Sequence, residues 1–175
     1  MRPGYLIPSP LGDIALRVED DFLIGLFFVG QKYFPTLHAT SIQLGAPPIV
    51  RQTKEQIDEF FAGERQVFTV PVFMRGSEFQ REVWKQLTAI PYGEIVSYGT
   101  IAQRMGLTGN AARAVGSANG KNPVSIIVPC HRVIASTGNL TGYAGGIERK
   151  QALLALECGV RMKSPDALAD ANLLI

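Results

Sequence analysis

The hydrophobic pattern changes partway along the chain, and this change most constrains what the chain can fold into. The stretch YLIPSPLGDIALRVEDDFLIGLFFVG consists of extended apolar runs separated by two turn-forming clusters, which predicts β-strands joined by hairpins. Further along, apolar residues such as Phe79 and Val83 recur at the spacing of one helix face. We therefore predict an α/β N-terminal domain over residues 1–73, a linker over 74–77 and a mostly helical domain over 78–175.

Capping signals set the expected helix boundaries. In the N-terminal domain, Thr53 with Gln56 forms a capping box, so a helix is expected from there to Gly63, followed by a strand at RQVFTVPV. In the C-terminal domain, Ser77 and Gln80 form a second capping box. Four helices are expected there, over about 77–90, 97–106, 110–119 and 147–157.

Composition excludes several classes of protein. The 175 residues are 46% hydrophobic, as in a globular protein, and a net charge of +2 argues little for a polyanionic partner. Two cysteines are too few for a disulfide framework, and two histidines leave no structural zinc spacing. The longest apolar stretch, FLIGLFFVG, is too short to span a bilayer, and the N-terminus lacks a signal-peptide pattern. We expect a cytoplasmic protein without membrane contact, metal or other cofactor.

Acidic residues are unevenly distributed along the chain. None occurs in the 53 residues between Glu94 and Glu148, where the overall frequency of 15 in 175 predicts about four or five. A surface without carboxylates does not repel phosphates, so this segment suits contact with nucleic acid. A chance gap in a segment rich in glycine and alanine is the alternative.

The same segment contains a helix-turn-helix pattern, SYGTIAQRMGLTGNAARAVGSANG. Two short helices are joined by a glycine-containing turn, and the second helix consists of small residues around a single long one, Arg113. Small side chains allow close approach to a groove wall or to another helix. DNA binding fits this pattern, and so does an alanine-rich helix packed in the core with Arg113 at the surface.

The stretch IIVPCHRVI places a cysteine directly before a histidine and an arginine. Cys130 is either a small buried hydrophobe or a nucleophile, which would react as its thiolate. Adjacent side chains of an extended segment point opposite ways, so His131 can act as its base only if the chain turns here, which Pro129 favours. The imidazole would then need a carboxylate. Glu157 is a candidate, although an exposed glutamate in a helix needs no partner. Cys158 has no basic neighbour and is expected to be structural.

Several motifs together resemble the O6-alkylguanine-DNA alkyltransferases, also called methylated-DNA–protein-cysteine methyltransferases. They are NPVSIIV, PCHRVI and GYAGG around the cysteine, with FQREVW, VSYG, AARAVG and KQALLALE elsewhere. PCHRV with AARAVG at this separation is a highly specific combination. The pattern is similar to the bacterial, zinc-free, Ogt-like members, closely from about Phe79 to Gly159 and more loosely before that.

The resemblance implies both a fold and an activity. The fold is an α/β N-terminal region with a small antiparallel sheet similar to a ribonuclease H motif, followed by a mostly α winged-helix or helix-turn-helix domain. The activity is direct-reversal DNA repair, in which Cys130 irreversibly takes a methyl or alkyl group from O6 of guanine, and from O4 of thymine, after base flipping. Because a thioether is a very poor leaving group, each molecule should react once. The implied partner is double-stranded DNA, bound through the minor groove by a monomer.

The resemblance also assigns catalytic roles to residues of this chain. His131, through a water, would deprotonate Cys130 while Glu157 orients the imidazole. Asn122 would brace the active-site turn by hydrogen bonds. Tyr98 would donate its hydroxyl to N3 of the guanine, and the Cys130 carbonyl would accept from the exocyclic amine.

Five further residues are implied to contact the substrate. The carbonyl of Val133 would accept from the exocyclic amine, the N–H of Ala144 would face O6, and Tyr143 would wall the pocket. Arg113 would fill the space that the flipped base leaves, while the small residues around it let the helix enter the minor groove. Arg132 is grouped with these substrate-contacting residues.

Two other functions remain open. One is a non-catalytic helix-turn-helix protein that binds alkylated DNA, although such alkyltransferase-like proteins have no cysteine at the reactive position. The other is a thiol hydrolase that uses Cys130, His131 and a carboxylate. It would turn over repeatedly and would need an oxyanion hole, usually a pair of N–H groups at a helix N-terminus. The segment before Cys130 is predicted to be extended, so it does not indicate such a site.

Overall fold

The computed structural model describes residues 3–35, 38–41, 46–140 and 143–162. The first two residues of the predicted N-terminal domain and residues 163–175 of the predicted C-terminal domain lie outside the described residues. A four-stranded sheet of order β3-β2-β1-β4 forms the N-terminal part. The first three strands pair antiparallel as two hairpins, and β4 pairs parallel with β1. Helix α1 packs on β2 and β3, which confirms the expected small sheet with a helix. The elements are β1 (Pro3–Ile7), β2 (Ile14–Glu19), β3 (Phe22–Phe28), β4 (His38–Ser41) and α1 (Pro48–Phe61).

Helix α1 begins at Pro48 and not at Thr53, so the predicted capping box there is wrong. A proline is favoured in the first helical turn because its missing N–H would have no partner there. Thr53 therefore lies inside the helix, where its hydroxyl donates to the carbonyl oxygen of Ile49 at 2.7 Å. The Gln56 side chain instead accepts from the N–H of Thr69 at 2.9 Å.

The predicted strand at RQVFTVPV does not form. Only Val72 pairs, in an isolated bridge with Leu23 of β3, and the N–H of Leu23 donates to the Pro71 carbonyl at 2.9 Å. The segment fails as a strand because Pro71 has no N–H to donate and because Gln56 holds the N–H of Thr69.

The C-terminal part is mostly helical, as predicted. Both halves of the capping box at Ser77 and Gln80 are present, with hydrogen bonds of 3.0 and 3.1 Å. Helices α2, α3 and α4 pack on one another, and none of the described helices is long and apolar enough to cross a membrane. The elements are α2 (Glu78–Thr88), β5 (Val96–Ser97), α3 (Tyr98–Arg104), α4 (Ala111–Gly120), a 3₁₀ turn (Cys130–Arg132), β6 (Val133–Ile134) and α5 (Ile147–Glu157).

The edge strand β3 holds the loop that leads to the cysteine. The N–H of Leu26 donates to the carbonyl of Pro123 at 2.9 Å, and the N–H of Ser125 donates back to the carbonyl of Leu26 at 3.1 Å. Strand β3 would otherwise present unpaired backbone groups, and this pairing satisfies them. The N-terminal sheet therefore fixes the position of the loop before Cys130, although it contributes no residue to the cysteine motif.

Trp84 joins helix α2 to helix α4. Its indole Nε1 donates to the carbonyl oxygen of Ala118 at 2.8 Å, and its ring is almost completely buried. A buried indole N–H needs such an acceptor, and the small residues of α4 leave room for the ring. The side of α4 opposite Arg113 is thus anchored to the core.

Candidate active site

The chain turns at Cys130, as the chemistry considered above requires. Pro129 has φ −84° and ψ 65°, and the N–H of Cys130 donates to the carbonyl of Val128 at 2.8 Å, after which the 3₁₀ turn follows. Cys130 is only 3% exposed and His131 is fully buried. The backbone at Cys130 is therefore not the extended one in which adjacent side chains point opposite ways.

A second tight turn lies just before the first one. Ile126 has φ +71°, and the N–H of Ile127 donates to the carbonyl of Ser125 at 2.8 Å. A β-branched residue in the left-handed region is a backbone outlier, and such strain costs about 1–3 kcal/mol. The pairing with β3 described above holds this strained segment in place.

Two asparagines brace the turn from inside. The Asn122 amide donates to the carbonyl of Val128 at 2.8 Å, while its oxygen accepts from the N–H of Val124 at 2.9 Å. The Asn119 amide donates to the carbonyl of Cys130 at 3.3 Å. The bracing expected of Asn122 thus has a geometric basis, and Asn119 adds a contact that the sequence did not indicate. The Cys130 carbonyl also accepts from the N–H of Val133.

His131 and Glu157 form a buried pair. The imidazole Nε2 lies 3.0 Å from Glu157 Oε1, and both side chains are inaccessible to solvent. The other ring nitrogen, Nδ1, is buried and has no hydrogen-bond partner among the described residues. Because an ionised carboxylate only accepts hydrogen bonds, neutral His131 carries its proton on Nε2, and Nδ1 presents a free lone pair.

Arg132 contacts the same Glu157 carboxylate as His131 does. Its Nε and Nη2 donate to Glu157 at 2.8 and 2.5 Å, and its Nη1 donates to the carbonyl of Ile90 at 2.6 Å. The expectation of a direct substrate contact is corrected here, because the buried guanidinium is committed to the Glu157 carboxylate. The 3₁₀ turn is the reason, since it points Arg132 into the protein.

The pair has shifted pKa values in the directions that a general base requires. Burial alone would raise the pKa of Glu157, but hydrogen bonds from His131 and Arg132 outweigh it and hold the carboxyl pKa below its usual value. Burial lowers the pKa of His131, and the charges of Arg132 and Lys150 lower it further, although Glu157 opposes them. A neutral imidazole beside an ionised carboxylate is therefore the resting state at neutral pH.

The Cys130 thiol is protonated in the DNA-free protein. Burial raises its pKa to about 11, against the opposing effects of the Asn122 amide, the Lys150 charge and the Ser125 hydroxyl. At neutral pH the thiol form therefore predominates.

Lys150, in the first turns of α5, is a buried cation that the sequence reasoning missed. Its Nζ donates to the carbonyl of Val133 at 2.5 Å and lies 5.8 Å from the centre of the Tyr98 ring. Burial lowers the pKa of Lys150 to about 8, while the charge of a Cys130 thiolate opposes that shift. The signal was available, because Lys150, Leu153 and Glu157 share one face of α5 and Leu153 is apolar.

A cavity of about 380 Å³ lies between α4 and the loop before α5. Tyr143 and Ala144, both expected at the substrate, line it on one side, and Gly116 lines it from α4. The Tyr143 hydroxyl is buried without a hydrogen-bond partner among the described residues. Burial, and next the charge of a Cys130 thiolate, raise the pKa of Tyr143. Tyr143 is therefore a neutral phenol at the wall of this cavity.

Two further predicted positions differ in their exposure. Arg113 is exposed on α4, while Val115 and Ala118 of the same helix are buried. The helix thus packs with one face in the core and presents Arg113 on the other, which agrees with both interpretations of its sequence. Cys158 is exposed directly after α5, so its expected structural role is wrong. The helix ends at Glu157 and leaves that thiol at the surface.

Similarity to known proteins agrees with the fold and assigns this chain to the methyltransferases of DNA repair. Residues 78–159 match the family model for the DNA-binding domain of 6-O-methylguanine DNA methyltransferase, and residues 4–73 match the model for its ribonuclease-like domain. The methylated-DNA–protein-cysteine methyltransferase of Mycolicibacterium paratuberculosis is 49% identical over 93% of this chain and 94% of its own. That of Methanosarcina acetivorans is 41% identical over 87% of this chain and 96% of its own.

Solved structures agree with these sequence relatives. The crystal structure of Mycobacterium tuberculosis OGT in complex with DNA matches with a TM-score of 0.84 and 46% identity, over 95% of this chain and 98% of the other. The chain belongs to the methylated-DNA–protein-cysteine methyltransferase family and is an enzyme of that class. The resemblance inferred from the motifs and the fold class that it implied are both confirmed.

Proposed function

We propose that this chain repairs duplex DNA by direct reversal, with Cys130 as the acceptor of an alkyl group from O6 of guanine and from O4 of thymine. The observation that supports the proposal is the turn at Cys130, which directly precedes His131 of the buried His131–Glu157 pair in the chain. The mycobacterial relative described in complex with DNA supports the choice of partner.

Proton transfer from the thiol comes first. His131 takes the proton of Cys130 through a bridging water, which would also satisfy the otherwise unpartnered Nδ1. Glu157 stabilises the imidazolium that results, and Asn122 keeps the turn in place. Because the thiol pKa is about 11 before DNA binds, this step belongs to the complex. The charge of Lys150 favours the thiolate there.

The alkyl group then moves in a single displacement. The Cys130 sulfur attacks the saturated carbon in line with its bond to O6, so the S–C bond forms as the C–O bond breaks. The bonding electrons remain on the guanine, where the Tyr98 hydroxyl at N3 and the Ala144 N–H at O6 stabilise the developing charge. The Val133 carbonyl accepts from the exocyclic amine, and Tyr143 walls the pocket. The thioether that forms is neutral and a very poor leaving group, so the reaction is stoichiometric.

The base must leave the helix before it can react. Its target carbon lies inside the stack, and extrusion costs a few kcal/mol. Arg113 is exposed among small residues, so it can enter the vacated space while α4 lies in the minor groove. A helix with so few polar side chains suits a search for lesions better than the reading of base sequence. The monomeric state, the location in a reducing cytoplasm and the linker at residues 74–77 between the two domains stay predictions.

Labelled substrate tests the proposal directly. Duplex DNA with a radiolabelled O6-methyl group should leave at most one label on each protein molecule, and mass spectrometry should locate it on Cys130. The Cys130→Ala variant should take up none, while Cys158→Ala, which removes the exposed thiol, should label fully. Continuous release of label to solvent would indicate a hydrolase. Lesion binding without any loss of label from the DNA would indicate a non-catalytic damage-binding protein.

A further inference from the structure

The cavity beside α4 has an outer wall that none of the roles above includes. Lys32 and Tyr33, which follow strand β3, line it together with Ala144 and the α4 glycine Gly116. Tyr33 is 55% exposed, a high value for a large aromatic ring. The described lining residues of this cavity include no acidic side chain.

We propose that Lys32, Tyr33 and Lys121 form a binding surface for the sugar and the flanking phosphates of the extruded nucleotide. The Tyr33 ring contacts the sugar of that nucleotide, and the two ammonium groups contact the phosphates on either side. The inference rests on the proposed function, since it adds a nucleotide contact to the same site. It gives the N-terminal part of the chain a direct role in DNA binding.

The backbone at Tyr33 is the first argument. The N–H of Phe34 donates to the carbonyl of Gln31 at 3.2 Å, which closes a β-turn with Lys32 and Tyr33 at its centre. Tyr33 has φ +62° at the third position, where this kind of turn favours glycine or asparagine. A tyrosine there is strained, and strained residues of this kind concentrate at ligand-binding sites.

The turn is held so firmly that the strain persists. The Gln31 side chain is buried and accepts from the N–H of Phe28 at 2.8 Å, which ties the turn to the end of β3. The N–H of Lys32 donates to the carbonyl of Ala144 at 3.0 Å, which ties it to the loop expected at the O6 atom. The backbone of the turn that carries Tyr33 is therefore tied to the substrate loop.

The charges around the ring are the second argument. Lys32 Nζ lies 5.1 Å from the centre of the Tyr33 ring, and Lys121 Nζ lies 5.9 Å from it. These lysines come from separate parts of the chain, one after β3 and one directly after α4, and both lie near one exposed ring. Two cations beside an aromatic face match a sugar flanked by two phosphates.

The experiment compares transfer from duplex DNA with transfer from a free O6-alkylguanine base. Tyr33→Gly removes the ring and relieves the backbone strain, so thermal unfolding should stay at the wild-type temperature or rise. Its rate with duplex DNA should fall about tenfold, as for the loss of one aromatic contact to a nucleotide, with a much smaller loss on the free base. Tyr33→Phe keeps the ring and should retain most of the duplex rate.

The lysines are tested by salt dependence. The Lys32→Gln and Lys121→Gln variants should each reduce the slope of log affinity against log salt for duplex DNA by about 0.9, the value for one phosphate contact. Lys54→Gln is the matched control, because Lys54 pairs with Asp58 on α1 and does not line the cavity. Unchanged duplex rates and slopes would overturn the inference, and so would equal losses of Tyr33→Gly on both substrates. If wild-type protein transfers no alkyl group at all, the proposed function fails instead.

Discussion

The ammonium group of Lys150 donates a 2.5 Å hydrogen bond to the Val133 carbonyl from a fully buried position. Its charge lowers the pKa of the Cys130 thiol, against the larger effect of burial. We therefore expect Lys150→Met to slow alkyl transfer at neutral pH on both duplex DNA and free base. Lys85→Met, on the exposed surface of α2, is the control and should react at the wild-type rate. Single-turnover rates across pH would measure the difference.

Lys150 also predicts how stability changes with pH. Its pKa falls from 10.5 to about 8 on folding, so above about pH 8 the unfolded state binds more protons and the free energy of unfolding rises. The pKa of Cys130 rises from 9.0 to about 11, so above about pH 9 the folded state retains its proton and the effect is opposite. Urea titrations should show a rise from pH 8 to 9 that then levels off. Lys150→Met should lack the rise, and a variant that kept it would contradict this assignment.

Glu157→Gln should damage both stability and reaction. Without the carboxylate, the buried Arg132 guanidinium loses its ion pair, which costs about 3–5 kcal/mol. The Glu59–Arg65 pair is the matched control, because it is partly exposed and Glu59→Gln should cost about 0–1 kcal/mol. Glu157→Gln should also raise the pKa of the Cys130 thiol and move the pH–rate profile to higher pH, because a neutral amide stabilises the His131 imidazolium less than a carboxylate does. An unaltered profile would discard the triad.

Arg113→Ala should impair alkyl transfer from duplex DNA without impairing the transfer step itself. Arg113 is exposed, so its removal should change the free energy of unfolding by no more than about 0.5 kcal/mol. Transfer from duplex DNA should fall strongly, while reaction with the free base should change little. Arg104→Ala in α3 removes the same charge from an exposed site of the neighbouring helix. Equal losses on both substrates would remove the role of Arg113 in base flipping.

The positive φ of Ile126 predicts that glycine at this position gives a more stable protein than alanine, the reverse of the usual order. Alanine and glycine both remove the buried side chain beyond Cβ, but only glycine tolerates φ +71° without cost. Ile126→Gly should therefore be more stable than Ile126→Ala by about 1–2 kcal/mol, the cost of the left-handed region for an L-residue. Denaturant unfolding of the pair would measure it. A more stable alanine variant would mean that the turn relaxes.

Local sequence signals predicted the helices of the C-terminal part well. Ser77 and Gln80 lie within one turn of each other, so their capping box depends on nothing distant. The same signal failed at Thr53, because Pro48 starts the helix earlier and Gln56 finds its partner at Thr69 across a loop. Local patterns therefore fail where a contact between distant residues competes.

The candidate site shows the same limit. The motif pointed to Cys130, His131 and Glu157, but it could not reveal that Arg132 turns inward to Glu157 across 25 residues. Nor could it reveal that strand β3 holds the loop through Leu26, because that pairing depends on the folded sheet. The thiol pKa depends on burial, which no linear spacing gives.

Trp84 is the single tryptophan of the chain, and its indole is hydrogen-bonded to the backbone of α4. The protein therefore carries its own optical probe under the helix that would lie against DNA. Any displacement of α4 that alters the bond to Ala118 changes the surroundings of that one fluorophore. Stopped-flow emission could then time the docking of a duplex without an attached dye.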